Sequence, residues 1–471
     1  MKTISKFLII SVFALTILSG NIASAQFNTQ QPFIPSIGQS IISRPSVFPK
    51  NNFYIGIPLL SNINIGVTND GLDVLDAKLK TDTGTYIDLE KVIGGLNAQN
   101  TIAVDYSMDL LSFGFKAKKS YFSMNVSHRA PVVFRFSDNF LKLIYKGNGA
   151  FLGETIDFSK TGFSATNYWE IGLGYTRQIN DKFTAGFRVR RLTGLDNFST
   201  KINTLKATTS SDDYSLNLQS DMVINASSPF NNSDGFDSVD MVSGYLLNTQ
   251  NTGWAFNAGV SYQYSPKLQF SFDALDFGSI HWKNNVKNYR LENGTYSFSG
   301  VGLGQFFGSD TTVDYVDSLG HSFPTLETKE AYTTTLPSTL ILNTQYQLAK
   351  HTYASLMLRG WFFQTEFIPS GAIMLRQEIG RHISLDVNYS RQYGNYYSLG
   401  SGVDFQLGSF NFFILSDNIL GTIQPLSGKS IHLNMGMSVC FVSKPKKPTT
   451  AATPVATPAA KPVGEAKPVT K

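Results

Sequence analysis

The sequence predicts an all-β protein, a transmembrane antiparallel β-barrel of fourteen strands with long extracellular loops. Three observations carry this. Charged residues are only 15% of the 471 residues, where about 25% is usual in soluble domains. Glycine (39), phenylalanine (36) and tyrosine (21) are abundant while mean hydropathy is only −0.08, the balance struck by strands with one face to lipid and the other to water. Segments along the chain alternate apolar and polar residues, and no internal run reaches the ~18 apolar residues that a membrane-crossing helix needs.

The chain divides into residues 1–25, 26–50, 51–443 and 444–471. In the first, Lys2 and Lys6 precede the apolar run Phe7 to Leu18, and Ala23-Ser24-Ala25 supplies the small residues of a cleavage site. This is the pattern of a signal peptide, too short and wrongly flanked for a membrane anchor. No cysteine follows it for lipid attachment, and the lone Cys440 excludes a disulfide within the chain. Residues 26–50 are apolar but interrupted by Pro32, Pro35, Pro45 and Pro49, which stops helix and strand alike. This piece is expected either to plug the lumen from the periplasmic side or to line its rim.

The barrel follows. Leu111, Phe113 and Phe115 alternate with polar or small residues up to a turn at Lys118-Lys119-Ser120, and Phe122, Met124 and Val126 continue the pattern. Similar turns fall at Asn180-Asp181-Lys182, Ser265-Pro266-Lys267, Ala349-Lys350-His351, Gly380-Arg381-His382 and Leu407-Gly408-Ser409. Six short periplasmic turns imply fourteen strands, the first over Phe53 to Val67 and the last over Ile431 to Phe441. The terminal Phe441 resembles the signal that barrel-assembly machinery reads. The long intervals 68–102, 129–165, 194–251 and 278–337 hold the outward loops. Lys201 to Asn225 alternates around a polar turn, and is read either as an extracellular hairpin or as two more membrane strands, giving sixteen. Ser137-Asp138 and Gly147 bracket a short amphipathic helix or an irregular loop.

The tail, 444–471, has six lysines, six prolines and one glutamate. It is expected to be disordered in the periplasm, either as a solvated tail or in contact with a periplasmic protein or peptidoglycan. With it and the leader set aside, 31 basic and 33 acidic residues remain, so the net charge of +5 is no sign of nucleic-acid binding.

Catalytic and cofactor motifs are missing. The six histidines show no metal-ligand spacing, and no GxSxG elbow occurs. Gly428-Lys429-Ser430 lacks the upstream glycine of a phosphate loop, and Gly300, Gly302 and Gly304 lack the rest of a dinucleotide fingerprint. No enzyme activity, cofactor or metal is expected. By the same alternation, the residues that line the lumen are Lys116, Glu170, Arg188, Arg190, Asn257, Asp273, Asn343, Gln345, Asp386 and Asn388. Both signs of charge occur among them, which suggests an ion-paired, partly filled interior. Tyr168, Trp169, Trp254, Trp282 and Trp361, near strand ends, are read as an interfacial aromatic girdle.

The segments Asn52 to Pro58, Leu111 to Lys116 and His281 to Tyr289 resemble an uncharacterised family of outer-membrane barrels, a domain of unknown function from bacteria that carry type IX secretion. The layout is more distantly similar to the fourteen-stranded long-chain fatty-acid transporter barrels, which pass hydrophobic molecules by an N-terminal hatch. The resemblance implies a place in the Gram-negative outer membrane, embedded in its lipid. Two function classes follow: a passive transporter of a small hydrophobic ligand, or a structural scaffold of an envelope, secretion or motility complex.

Overall fold

The computed structural model describes residues 30–69, 71–72, 77–81, 84–228, 249–291, 294–296, 325–363, 366–392, 396–424 and 430–442. The expected signal peptide, the tail, and Gly300, Gly302 and Gly304 lie outside them.

Fourteen wall strands run in chain order: β1 (Asn51–Gly56, resuming at Asn62–Asn69), β2 (Gln99–Ala117), β3 (Ser120–Arg129, continued by Val132–Ser137), β4 (Gly162–Gln178), β5 (Phe183–Thr209), β6 (Thr252–Ser265), β7 (Leu268–Trp282), β8 (Ser338–Ala349), β9 (Thr352–Phe363), β10 (Glu366–Ile379), β11 (Ile383–Gln392), β12 (Tyr396–Leu407), β13 (Phe410–Ser416) and β14 (Ser430–Val442). Each pairs antiparallel with its sequence neighbours. The ring closes where β14 pairs with both halves of β1, Ile55 against Val439 and Ile65 against Leu433. Closure leaves no open sheet edge, so the backbone is satisfied without water. The six short turns stand where the sequence puts them.

Alternation explains which way the side chains point. Along β4 and β5, Ile171, Leu173 and Phe187 are about half exposed, while Glu170, Arg188 and Arg190 are buried. Apolar outside and polar inside is the pattern of a barrel set in lipid. The phase is not constant, however. β1 breaks at Ile57–Ser61, where Pro58 has no N–H to donate and Leu59 takes a left-handed φ of 65°. Bulges interrupt the pairing between Asp109 and Leu111 and between Phe256 and Ala258.

Past its pairing with β6, β5 runs on to Thr209 and is joined there by Leu216–Ser227, which pairs in turn with Val286–Leu291. The Lys201 to Asn225 hairpin therefore extends the wall beyond the ring, and the sixteen-strand alternative falls. The bracketed helix forms over Asp138–Lys146, ended by Gly147 at φ 72°, with Phe140 and Leu143 against Phe151, Ile156 and Phe158 of the same extension.

The aromatic girdle needs correction. Trp254 is half exposed on the outer wall, but Tyr168, Trp282 and Trp361 are buried inside. Trp282 packs with Tyr168, Leu192 and Ile280, and Trp361 with Val133 and Phe363. Consecutive strand residues face opposite sides, so Tyr168 and Trp169 could not both have met lipid.

Candidate functional site: a plugged lumen

Residues 30–50 touch opposite sides of the ring and therefore lie inside it. The Gln30 side chain donates to the Ser416 carbonyl at the end of β13 (2.6 Å) and to Asn388 Oδ1 of β11 (3.2 Å). Across the lumen, Thr176 Oγ1 of β4 donates to the Pro45 carbonyl (3.0 Å). Prolines keep this segment from regular structure, so it holds only two short turns, Gln31–Phe33 and Ser40–Ser43. Its backbone N–H groups donate largely within the segment, Phe33 to the Gln30 carbonyl and Arg44 to that of Ser40, and side chains tie it to the wall. Gln39 donates to the Ser61 carbonyl, and Arg376 donates to that of Phe33.

One acid holds the far end. Asp273 on β7, fully buried, accepts from Arg44 Nε (2.9 Å), the Ser46 backbone N–H (3.0 Å) and Ser46 Oγ (2.7 Å). Close approach here depends on two wall glycines. A Cβ on Gly186 would sit 2.2 Å from the Pro45 carbonyl oxygen, and one on Gly259 would sit 2.6 Å from the Ser46 nitrogen. Asp273→Asn places an amide donor against these donors, so amide hydrogen exchange at residues 40–48 should quicken by about tenfold or more while the wall strands keep their protection. Unchanged exchange would show that Asp273 does not hold the segment.

Apolar contacts complete the seating. Ile34 and Ile37 pack on Phe413 and Leu415, Ile41 and Ile42 on Tyr54 and Tyr121, and Phe33 on Leu275, Ile341, Met357 and Met374.

Two cavities lie against this segment among the described residues. The upper one, about 180 Å³, lies towards the loop end, its lining mixing the apolar Ala103, Val133, Leu275, Met357 and Trp361 with charged groups. The lower one, about 380 Å³, lies at the turn end between the segment and a polar wall that includes Gln178, Gln263, Gln269, Asn343 and Gln345. Pro32 and Phe33 line both. The Phe33 ring is held from below by the Arg44 guanidinium, 4.2 Å from its centroid.

Among the charged groups of the upper cavity runs a chain of ion pairs. Glu170 Oε2 accepts from Arg190 Nη1 (3.0 Å) and lies 2.9 Å from Arg129 Nε, and Arg190 Nη2 lies 2.6 Å from Asp276 Oδ1. Asn125 donates to Glu170 Oε1 (2.9 Å) and accepts from Arg188. The guanidinium of Arg188 is therefore held mainly by neutral oxygens, with Ser123 Oγ at 3.1 Å.

Of the ten residues singled out in the sequence, Glu170, Arg188 and Arg190 meet in this one network. Asn257 lines the same cavity and accepts from the Asp276 backbone N–H (2.8 Å). Asp273 and Asn388 hold the inserted segment, and Asn343 and Gln345 line the lower cavity. Lys116 lies over the Phe48 ring, 5.0 Å from its centroid, and Asp386 is buried beside Ser384 Oγ (3.5 Å). They do not form one site.

Sequence alternation missed Asp105, Asp109, Arg129, Asp276 and Arg359, all of which line the upper cavity. For Asp276 the reason is plain. Counting by twos from Asp273 sends it outward, but the bulge opposite Phe256–Ala258 and its own left-handed φ of 63° turn it in. The broken alternation of Ala274-Leu275-Asp276-Phe277 was the available signal. Arg44 was invisible because its segment has no period.

With this geometry in hand, comparison with known proteins gives one decisive result. The model of a family of unknown function (DUF5723) matches residues 45–417. The chain belongs to that family. No curated protein matches it. Among solved structures it is similar to the toluene transporter TbuX of Ralstonia pickettii, with 9% identity over 86% of this chain and 94% of that one and a TM-score of 0.40. It is also similar to the toluene transporter TodX of Pseudomonas putida, with 10% identity over 89% and 94% and a TM-score of 0.40. A Pseudomonas aeruginosa FadL homologue has 12% identity over 90% and 100%, with a TM-score of 0.42.

Proposed function

We propose that this barrel lies in the outer membrane and passively conducts a small, largely apolar molecule through its lumen, with residues 30–50 as the gate. The observation that carries this reading is the pair of cavities divided by Pro32 and Phe33. A barrel serving only as a scaffold has no need of a half-apolar chamber in its lumen. Pockets that are mostly apolar with a few convergent polar groups are where small molecules bind. The route runs from the loop end into the upper cavity, past Phe33, into the lower cavity and out between the short turns.

Phe33→Ala removes the ring between the cavities while Arg44, Ser46 and Gln30 keep their hydrogen-bond partners. Intact cells that carry the protein should accumulate an apolar dye faster than cells that lack it, and Phe33→Ala should raise that rate several-fold. Equal accumulation with and without the protein would overturn the transport reading. A gain with the native protein but none from Phe33→Ala would move the route away from Phe33.

A further inference from the structure

We propose that the upper cavity takes a zwitterionic amphiphile, a molecule with an apolar body and an ammonium and a carboxylate close together at one end, the class of the hydrophobic amino acids and their short derivatives. This rests on reading the cavity as a solute site and names the solute.

The argument starts from what the ion-pair chain leaves open. In Arg129, Glu170, Arg190 and Asp276, the two middle members are closed off from the cavity, with Glu170 0% and Arg190 2% exposed. The two end members are not. Arg129 keeps 27% and Asp276 33% of its side chain exposed, and both line the cavity. The cavity lining therefore presents exposed groups of both signs, Arg129 and Asp276 among them, these two with their inner pairing already made. The same lining holds Asp105 and Arg359 and the apolar Phe33, Val133, Leu275, Ile341, Met357 and Trp361.

The cost of filling this space depends on the charge of the occupant. An uncharged apolar molecule strips water from both groups and returns nothing. A carboxylate alone pairs with Arg129 but is forced beside Asp276, and an ammonium alone meets the converse problem. A zwitterion answers both at once.

Two further features fit the ammonium end. Asp109 is 2% exposed and lines the same cavity. Its Oδ1 accepts from Ser127 Oγ (2.5 Å), but its Oδ2 has no hydrogen-bond partner. Asp276 owes its inward aim to a left-handed backbone, a conformation that costs a non-glycine residue of order 1–3 kcal/mol and persists where surrounding structure imposes it. Here Asn257 Oδ1, accepting from the Asp276 N–H, imposes it.

The test uses full-length protein in lipid nanodiscs and four probes that share a phenyl body: phenylalanine, 3-phenylpropionate, 2-phenylethylamine and propylbenzene. Binding is read from the part of the tryptophan fluorescence change that Trp361→Phe abolishes. Phenylalanine should bind at least about tenfold more tightly than any of the others. Asp276→Asn should remove that preference, weakening the amine and tightening phenylpropionate, and Arg129→Gln should do the reverse. If phenylpropionate or propylbenzene binds as tightly as phenylalanine, the zwitterion assignment fails and the solute cavity stands. If none binds, both readings fail. The wild-type series decides these outcomes even should a variant not fold.

Discussion

Deleting residues 30–48 is expected to turn a closed barrel into an open pore. In planar bilayers the conductance per protein should rise by roughly tenfold or more, because fourteen strands lie between the eight that side chains fill and the sixteen to eighteen that leave an aqueous channel. The wall should survive the deletion. Its strands pair with one another around the whole ring, and the groups that lose a partner, among them Asp273, Asn388 and the Ser61 carbonyl, would meet water in an opened lumen. Heat-dependent gel mobility would establish that the truncated barrel is folded before conductance is read. A folded variant that conducts no better than the full chain would show that something other than this segment closes the lumen.

The second large effect is on stability. Glu170→Ala removes the one carboxylate that pairs with both Arg129 and Arg190, and it leaves the Asn125 amide with Ser127 Oγ as its acceptor. Breaking a buried pair by deleting one partner costs on the order of 3–5 kcal/mol, since the remaining charge stays buried without compensation. Unfolding by urea from lipid vesicles should show a loss of that size. Replacing Glu170 and Arg190 together by apolar residues of similar volume should cost less, although the part-exposed Arg129 and Asp276 would each lose a partner. A Glu170→Ala loss below about 1 kcal/mol would mean that water reaches the guanidiniums and that the chain of pairs is solvated.

This network also shows where reading by twos succeeds and where it stops. Glu170, Arg188 and Arg190 sit on β4 and β5 between regular turns and unbroken pairing, so a count from Phe187 places them inward. Arg129 stands at the end of β3's first half, one residue before the Ala130-Pro131 interruption, and Asp105 and Asp109 precede the bulge at Leu110. A count begun at Leu111 carries the wrong phase back across that bulge. The misplaced Trp282 shares this origin, for it lies past the bulge that turns Asp276, whereas Trp361 stands on unbroken pairing, in phase with the buried Met357.

By itself the sequence determined the class of the molecule and the positions of the six turns, because period-2 alternation and short turns are local and repeat independently along the chain, while the choice of fourteen strands over sixteen waited on the pairing of Lys201 to Asn225 beyond the ring. It also determined which residues of the regular strands are polar inside. Only the tertiary structure decided that residues 30–50 fill the lumen, that Phe33 divides two cavities, and that Asp276 and Arg129 face one of them together. Those outcomes depend on contacts between residues more than two hundred apart in the chain, such as Arg44 with Asp273, and on single-residue bulges that shift the phase of every side chain beyond them.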